Sequence, residues 1–386
     1  MINKINCIGC GACAEICPKK CISLAKDRKG FLVASVDVEQ CIKCNKCDSV
    51  CPNKTAVSKT EPKECLAAYS VETRDIMNSS SGGVFSVIAE QVIADGGAVY
   101  GASFDENLGL SHICVTEADS LAKIRGSKYI QSNVSPVLAD IRARLASGQT
   151  VLFSGTPCQT VAVSLLCGNN GKNDSAQSKN GDLVLVDIVC HGTPSNRLFD
   201  DFIADIEHKN KSKVTSFRFR NKKLASTLYG FEYHCENGKS NVLNGGYTPF
   251  GKAFFNGLVM RDSCYNCRFA CSERVGDLTV GDYWGCAADY PAFFNRNGTS
   301  CILVNSDKGS KLLSKVEDRL NICKTDIAKV RKNNHNLNSP TEKSPLTEQF
   351  WKDYDENGYG YVAKKYLSNG FMDKLRNFAH SFGERK

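Results

Sequence analysis

Eight of the 21 cysteines stand in two runs near the start of the chain, Cys7-x2-Cys10-x2-Cys13-x3-Cys17-Pro18 and Cys41-x2-Cys44-x2-Cys47-x3-Cys51-Pro52. A run of this spacing gives three thiolates to one 4Fe–4S cubane and a fourth to the cubane of its partner run. Cys7, Cys10, Cys13 and Cys51 are therefore expected on one cluster, and Cys41, Cys44, Cys47 and Cys17 on the other. Such clusters move single electrons. Zinc takes four ligands per site, commonly as separated CxxC pairs, and does not account for two copies of the run. Gly9 and Gly11 suit a backbone that passes close to inorganic sulfide. Cys21 has no place in the four-plus-four count and reads as a small buried residue.

More thiols follow. Two apolar stretches, 150–154 and 183–189 (the second interrupted only by Asp187), read as strands that run into Cys158 and Cys190. If the two lie parallel, both cysteines emerge at the carboxyl edge of a sheet, where open α/β folds bind their ligands. Cys264 and Cys267, from Cys264-x2-Cys267-x3-Cys271, complete four thiolates and predict a third 4Fe–4S cluster. Cys271 is an alternative fourth ligand, and a zinc knuckle is the competing reading of that run. His191 reads as a neighbour of the site rather than a ligand.

Two other stretches suit a flavin. Ser79-Ser80-Ser81-Gly82-Gly83 precedes a helix starting at Val84, and hydroxyls and free N–H groups at a helix start attract anions. Capping alone explains a serine run equally well. Gly126-Ser127-Lys128-Tyr129 offers a hydroxyl, a cation and an aromatic ring around a glycine. Neither stretch is the Rossmann GxGxxG or a P-loop. Chemistry adds a reason to expect one: clusters pass electrons singly, most organic substrates take two, and a flavin bridges the two regimes. Lys128 is the expected electrostatic partner of flavin or substrate, and Asp282 a polar site residue.

The elements that position these residues fall into three segments. Residues 1–60 form an α+β two-cluster ferredoxin module, with a short strand at 31–33 and a charged linker at 59–64. Residues 65–330 alternate strands and helices: a helix from 84 ended by Gly96-Gly97, strands at 98–104 and 112–115, a helix at 135–147, a helix at 195–210, β-rich structure at 214–243 and a strand at 301–305. This predicts an α/β flavin-binding domain with a mixed, partly parallel sheet. Residues 331–386 read as a helical tail whose aromatics serve packing, and 168–181 as a polar surface loop.

Composition agrees. At 42% apolar residues the chain can bury a core. Many cysteines, no signal-peptide pattern at the start and no apolar run of spanning length point to a reducing cytoplasm and no membrane span. The formal charge of +8 invites nucleic acid. However, three dianionic clusters and a flavin dinucleotide would cancel about eight charges, and the basic residues are dispersed.

Taken together, the motifs resemble the coenzyme F-420 hydrogenase/dehydrogenase beta-subunit family, in a bacterial form fused to an N-terminal two-cluster ferredoxin. They are SSSGG at 79–83, GSKYIQS at 126–132, FSGTPCQ at 153–159, VCHGTPS at 189–195, CYNC at 264–267 and GDLTVGDYWG at 276–285. Plant 7-hydroxymethyl chlorophyll a reductase is similar. The resemblance implies FAD between the SSSGG and GSKY regions and a cluster on Cys158, Cys190, Cys264 and Cys267. The expected function is an iron–sulfur flavoprotein oxidoreductase, exchanging electrons between a redox partner protein or ferredoxin and a small-molecule substrate. The alternatives are a non-catalytic relay subunit and a deazaflavin oxidoreductase.

Overall fold

The computed structural model describes residues 6–168, 181–222 and 229–370. All but the two end residues of the polar 168–181 loop, and the last part of the tail, lie outside the described residues. In the N-terminal module Ile22–Lys26 (β1) pairs antiparallel with Leu32–Val36 (β2). Each cysteine run turns into a short helix, Ala12–Ile16 or Lys46–Ser49, entered through a left-handed residue, Gly11 or Asn45. Gly9 also has a positive φ, and a Cβ there would stand 2.2 Å from the Leu32 carbonyl oxygen. Glycine is thus required by the approach of two chain segments, whatever lies in the cluster position.

The larger part is built on Glu64–Ser70 (β3), Ala98–Phe104 (β4), Leu110–Val115 (β5), Val151–Gly155 (β6) and Leu183–Ile188 (β7). Val214–Asn221 (β8), Gly230–Cys235 (β9) and Ser240–Asn244 (β10) form a separate antiparallel sheet. Leu278–Asp282 (β11), Ser300–Val304 (β12) and Leu320–Thr325 (β13) return to the first. The order across the main sheet is β13-β3-β12-β11-β7-β6-β4-β5. The central four, β11, β7, β6 and β4, are parallel, and both flanks are antiparallel. The sheet is therefore mixed and partly parallel, as expected.

The parallel strands read as apolar runs because both faces are covered. Phe153, Leu183 and Leu185 pack against Leu138, Ile141 and Val161 on one side. Leu152, Val184 and Val186 pack with Val84, Ile88 and Val92 of the helix Val84–Ala94 on the other. A third core lies between the β8–β10 sheet, the helix Asn196–Asn210 and the helix Thr347–Tyr366, which contributes Phe350, Trp351 and Tyr354. The N-terminal module docks on the main domain through backbone groups. The Leu32 N–H donates to Gln131 Oε1 (2.8 Å) and Ser195 Oγ donates to the Lys29 carbonyl (2.6 Å).

Candidate redox site

Most thiols of the N-terminal module lie close together. Burial raises the Cys10 thiol, and nearby Cys13, Cys7 and Cys51 raise it further. These are the four thiols that the spacing assigns to one cluster. Cys17 packs with Cys7, Cys13, Cys41 and Cys47 around Ala34, and Cys44 is exposed. Cys21 is buried with its Sγ 3.5 Å from that of Cys17. All 21 cysteines are free. Among the described residues, no three His, Cys, Asp or Glu side chains close to the geometry of a single metal ion.

The carboxyl ends of the parallel strands open into one cavity of about 280 Å³. Cys158 follows β6 in the first turn of the helix Pro157–Leu166, which Thr156 and Gln159 close with a capping box. Cys190 follows β7. Cys264 and Cys267 lie on the loop before β11, and all four cysteines line the cavity. Backbone N–H groups already point at two of them, Gly192 at Cys190 Sγ and Thr193 at Cys264 Sγ, each 3.4 Å away. Burial raises the Cys158 and Cys190 thiols, and the neighbouring cysteines push both further up. Four thiols so placed ionise together only around a cationic core, so the donor set fits an iron–sulfur cluster. Cys271 does not line the cavity; its Sγ accepts from Lys59 Nζ at 3.2 Å.

Asp187, the polar exception on β7, locks this loop to the sheet. It is buried and pairs with buried Arg274 at 2.7 Å. Arg274 also donates to the carbonyls of Phe269, Cys271 and Ile188. The loop carrying Cys264 and Cys267 is thereby tied to the strand that ends at Cys190.

The two stretches read as flavin loops border the same cavity and touch each other: the Ser127 N–H donates to Ser80 Oγ at 2.7 Å. Ser79 Oγ pairs with Ser86 Oγ, and Ser81 Oγ donates to the Thr299 carbonyl. No serine side chain caps the helix Val84–Ala94, whose N-cap is Gly83 with φ 86°. Gly83, Val84 and Phe85 line the cavity. That leaves first-turn N–H groups beside an open space, which suits an anion. Gly82 does not line the cavity, and a Cβ there would stand 2.5 Å from the Ala68 carbonyl oxygen, so it serves packing against β3. Lys128 donates to the Arg125 carbonyl at 2.9 Å, and burial, with the Arg218 charge, pulls it down to about 7. Tyr129 stacks on Phe254 with ring centroids 5.2 Å apart. Asp282, at the end of β11, lines the cavity and is paired.

Its partner is Arg220, a residue that sequence reasoning did not single out. Arg220 is 5% exposed. It donates to both Asp282 oxygens (2.9 and 3.2 Å), to the Ser80 carbonyl (2.8 Å) and to Tyr129 Oη (3.0 Å). One guanidinium thus joins all three stretches. The signal available was the alternation Phe217-Arg218-Phe219-Arg220, which on a strand sends aromatics to one face and arginines to the other. His112 was also missed. It stacks on Phe153, its Nε2 bonds the Ser154 carbonyl at 3.0 Å, and its buried Nδ1 has no partner. Burial pulls it down to about 4, so it stands neutral on the cavity wall. His191 lines the cavity nearby, also lowered by burial.

Residues 148–330 match the family model that describes the C terminus of the coenzyme F420 hydrogenase/dehydrogenase beta subunit. Residues 6–55 match the 4Fe-4S dicluster domain. No curated protein matches the chain. Among solved structures, it is similar to a chain from the xenon derivatization of the F420-reducing nickel–iron hydrogenase complex of Methanosarcina barkeri. The identity is 15%, covering 78% of this chain and 97% of that one, with a TM-score of 0.49. Among the described residues no helix is long and apolar enough to cross a membrane.

Proposed function

We propose, for a chain that belongs to the coenzyme F-420 hydrogenase/dehydrogenase beta-subunit family and carries a two-cluster 4Fe–4S ferredoxin module on its N-terminal side, an iron–sulfur flavoprotein oxidoreductase. It exchanges electrons with a redox partner protein and acts on a small-molecule substrate, using three 4Fe–4S clusters and FAD. One observation carries the reading: four cysteines and both candidate flavin loops line a single cavity at the carboxyl edge of the sheet. A thiolate set and an anion site that share one space suit a one-electron carrier placed next to a two-electron one.

When bound, clusters supply single-electron transfer and a flavin supplies both single-electron and hydride transfer. The chain's own residues do the rest. Cys158, Cys190, Cys264 and Cys267 would hold the inner cluster, with the Gly192 and Thr193 N–H groups polarising its thiolates. The N-terminal turn at Gly83–Phe85 and the Lys128 ammonium would hold the flavin's anionic part. Arg220 fixes Ser80, Tyr129 and Asp282 relative to one another, so the walls are set before any ligand enters. Tyr229, Phe255 and Trp284 add aromatic surface to the same cavity, with Tyr229 and Phe255 rings 4.6 Å apart. These rings suit a planar substrate or cofactor ring.

Iron, sulfide and extractable flavin per chain on anaerobically purified protein test this directly. About twelve irons and one FAD are expected, falling by about four irons in Cys158→Ser. About eight irons, no flavin, and none retained on adding FAD would refute it and leave a relay subunit. Hydride exchange with a deazaflavin would instead identify the substrate class.

A further inference from the structure

The N-terminal module and the cavity meet at one buried side chain, Arg261. It is 4% exposed and lines the cavity together with Cys158, Cys190, Cys264 and Cys267. Its backbone belongs to the cavity side. The Arg261 N–H donates to the Thr193 carbonyl, and its own carbonyl accepts from the Cys264 N–H, both at 2.9 Å. Its side chain belongs to the module. Nη1 donates to the Cys7 carbonyl at 2.7 Å and to the Leu32 carbonyl at 3.1 Å, and the guanidinium lies 4.7 Å from the Phe31 ring centroid. Nη2 is buried and has no hydrogen-bond partner among the described residues.

We propose that Arg261 is the electrostatic link between the cluster of Cys7, Cys10, Cys13 and Cys51 and the cluster of Cys158, Cys190, Cys264 and Cys267, raising the reduction potential of both. The inference rests on the three-cluster reading. Among the described residues no carboxylate pairs with Arg261; its side-chain partners are carbonyls and one aromatic ring. An unpaired buried cation is costly, and it persists where anions compensate it. Two dianionic clusters, one on each side, are such anions, and the unused Nη2 donors suit a cluster sulfur. Cys264 follows three residues after it and Cys7 supplies one of its carbonyl acceptors, so a cysteine of each set adjoins it in the structure. Adding an electron to either cluster brings one more negative charge next to a fixed positive one in a medium of low dielectric, which favours the reduced form. One electron leaves one cluster and enters the other with no proton required. The module's cluster on Cys7 is thereby assigned as the one facing the main domain, and the cluster with exposed Cys44 faces outward.

The test uses the full-length holoprotein, with Arg261→Gln and Arg261→Lys, in redox titrations followed by electron paramagnetic resonance, with iron counted in each sample. In Arg261→Gln two of the three potentials are expected to fall, each by at least a tenfold change in the one-electron equilibrium constant, or 59 mV. The remaining potential stays put. In Arg261→Lys all three are expected to stay within threefold of the parent. Loss of four irons in the Gln variant alone supports the charge as well. Unchanged potentials in a twelve-iron Gln variant would overturn the proposal, as would equal losses in both variants, which would make Arg261 a structural strut. A parent protein with about eight irons would instead refute the three-cluster reading itself.

Discussion

Arg274→Met isolates what holds the cavity's cysteine loop in place. Arg274 and Asp187 are 2% and 1% exposed at the side chain and 2.7 Å apart. Asp187 Oδ2 has no hydrogen bond of its own, so Oδ1 and its arginine carry the whole compensation. Removing one partner of such a pair leaves an uncompensated buried charge, at a cost of about 3–5 kcal/mol. At roughly 2–4 °C per kcal/mol for a domain of this size, the apparent Tm should fall by roughly 6–20 °C. The donors to the Phe269 and Cys271 carbonyls vanish with the side chain, so the loop bearing Cys264 and Cys267 loses its anchors. Iron should drop from about twelve to about eight per chain. The double variant Asp187→Leu/Arg274→Met separates the two effects. Replacing both charges with apolar groups restores stability to near the parent, since a buried pair swapped for hydrophobic residues is often neutral or better. It leaves iron low, because the loop is still untethered. Differential scanning fluorimetry and iron analysis under nitrogen read both quantities. A single variant within about 1 kcal/mol of the parent and with full iron would refute the reasoning. A double variant as unstable as the single one would show that packing, not charge, sets the cost.

Two further expectations concern groups the cavity leaves poised. Lys128 is lowered to about 7 by burial and the Arg218 charge, so its ammonium form in the empty protein is lost as pH rises through 7. An anionic ligand held by that ammonium should bind about tenfold more weakly per pH unit above 7. The Kd of flavin-free protein for FAD at pH 6.5 and 8.5, from fluorescence quenching, should show this slope in the parent and lose it in Lys128→Met; equal slopes would sink the assignment. Cys21→Ala should keep the parent's iron, because the crossed set of Cys17, Cys41, Cys44 and Cys47 needs no fifth thiol; loss of four irons would make Cys21 a ligand.

What the sequence makes legible is what local physics controls. The cysteine runs are dictated by the shape of a cubane. The parallel strands β4, β6 and β7 announce themselves as apolar runs because both of their faces are buried. β4 spans Ala98–Phe104, the range read from its pattern. β11 carries Thr279, Gly281 and Asp282, and β13 carries Asn321, Lys324 and Thr325, so neither has an apolar run to read. β3 starts at Glu64, inside the charged stretch that reads as a linker, because it enters the sheet between β12 and β13 only after some 240 residues of chain have returned. The partners of Arg220 and Arg261 are illegible for the same reason. Arg220 meets Ser80 across 140 positions, and Arg261 meets Cys7 across 254. No local pattern encodes a partner that distant.

The three buried arginines share one architectural role. Arg220, Arg261 and Arg274 are 5%, 4% and 3% exposed. Each stands where a separate piece of chain joins the carboxyl edge of the sheet. Arg274 ties the cysteine loop to β7, Arg220 ties β8 to both flavin loops, and Arg261 ties the N-terminal module to the cavity. Arginine suits these joints because its planar fork reaches several carbonyls at once and keeps its charge when buried. Arg274 and Arg220 have carboxylate partners, Asp187 and Asp282. Arg261 has none among the described residues, and it alone sits between two thiol sets. Of the three, only Arg261 therefore adds to the formal excess of +8. That one charge is buried between the Cys7 segment and the cavity cysteines, where the proposed link between two clusters would need it.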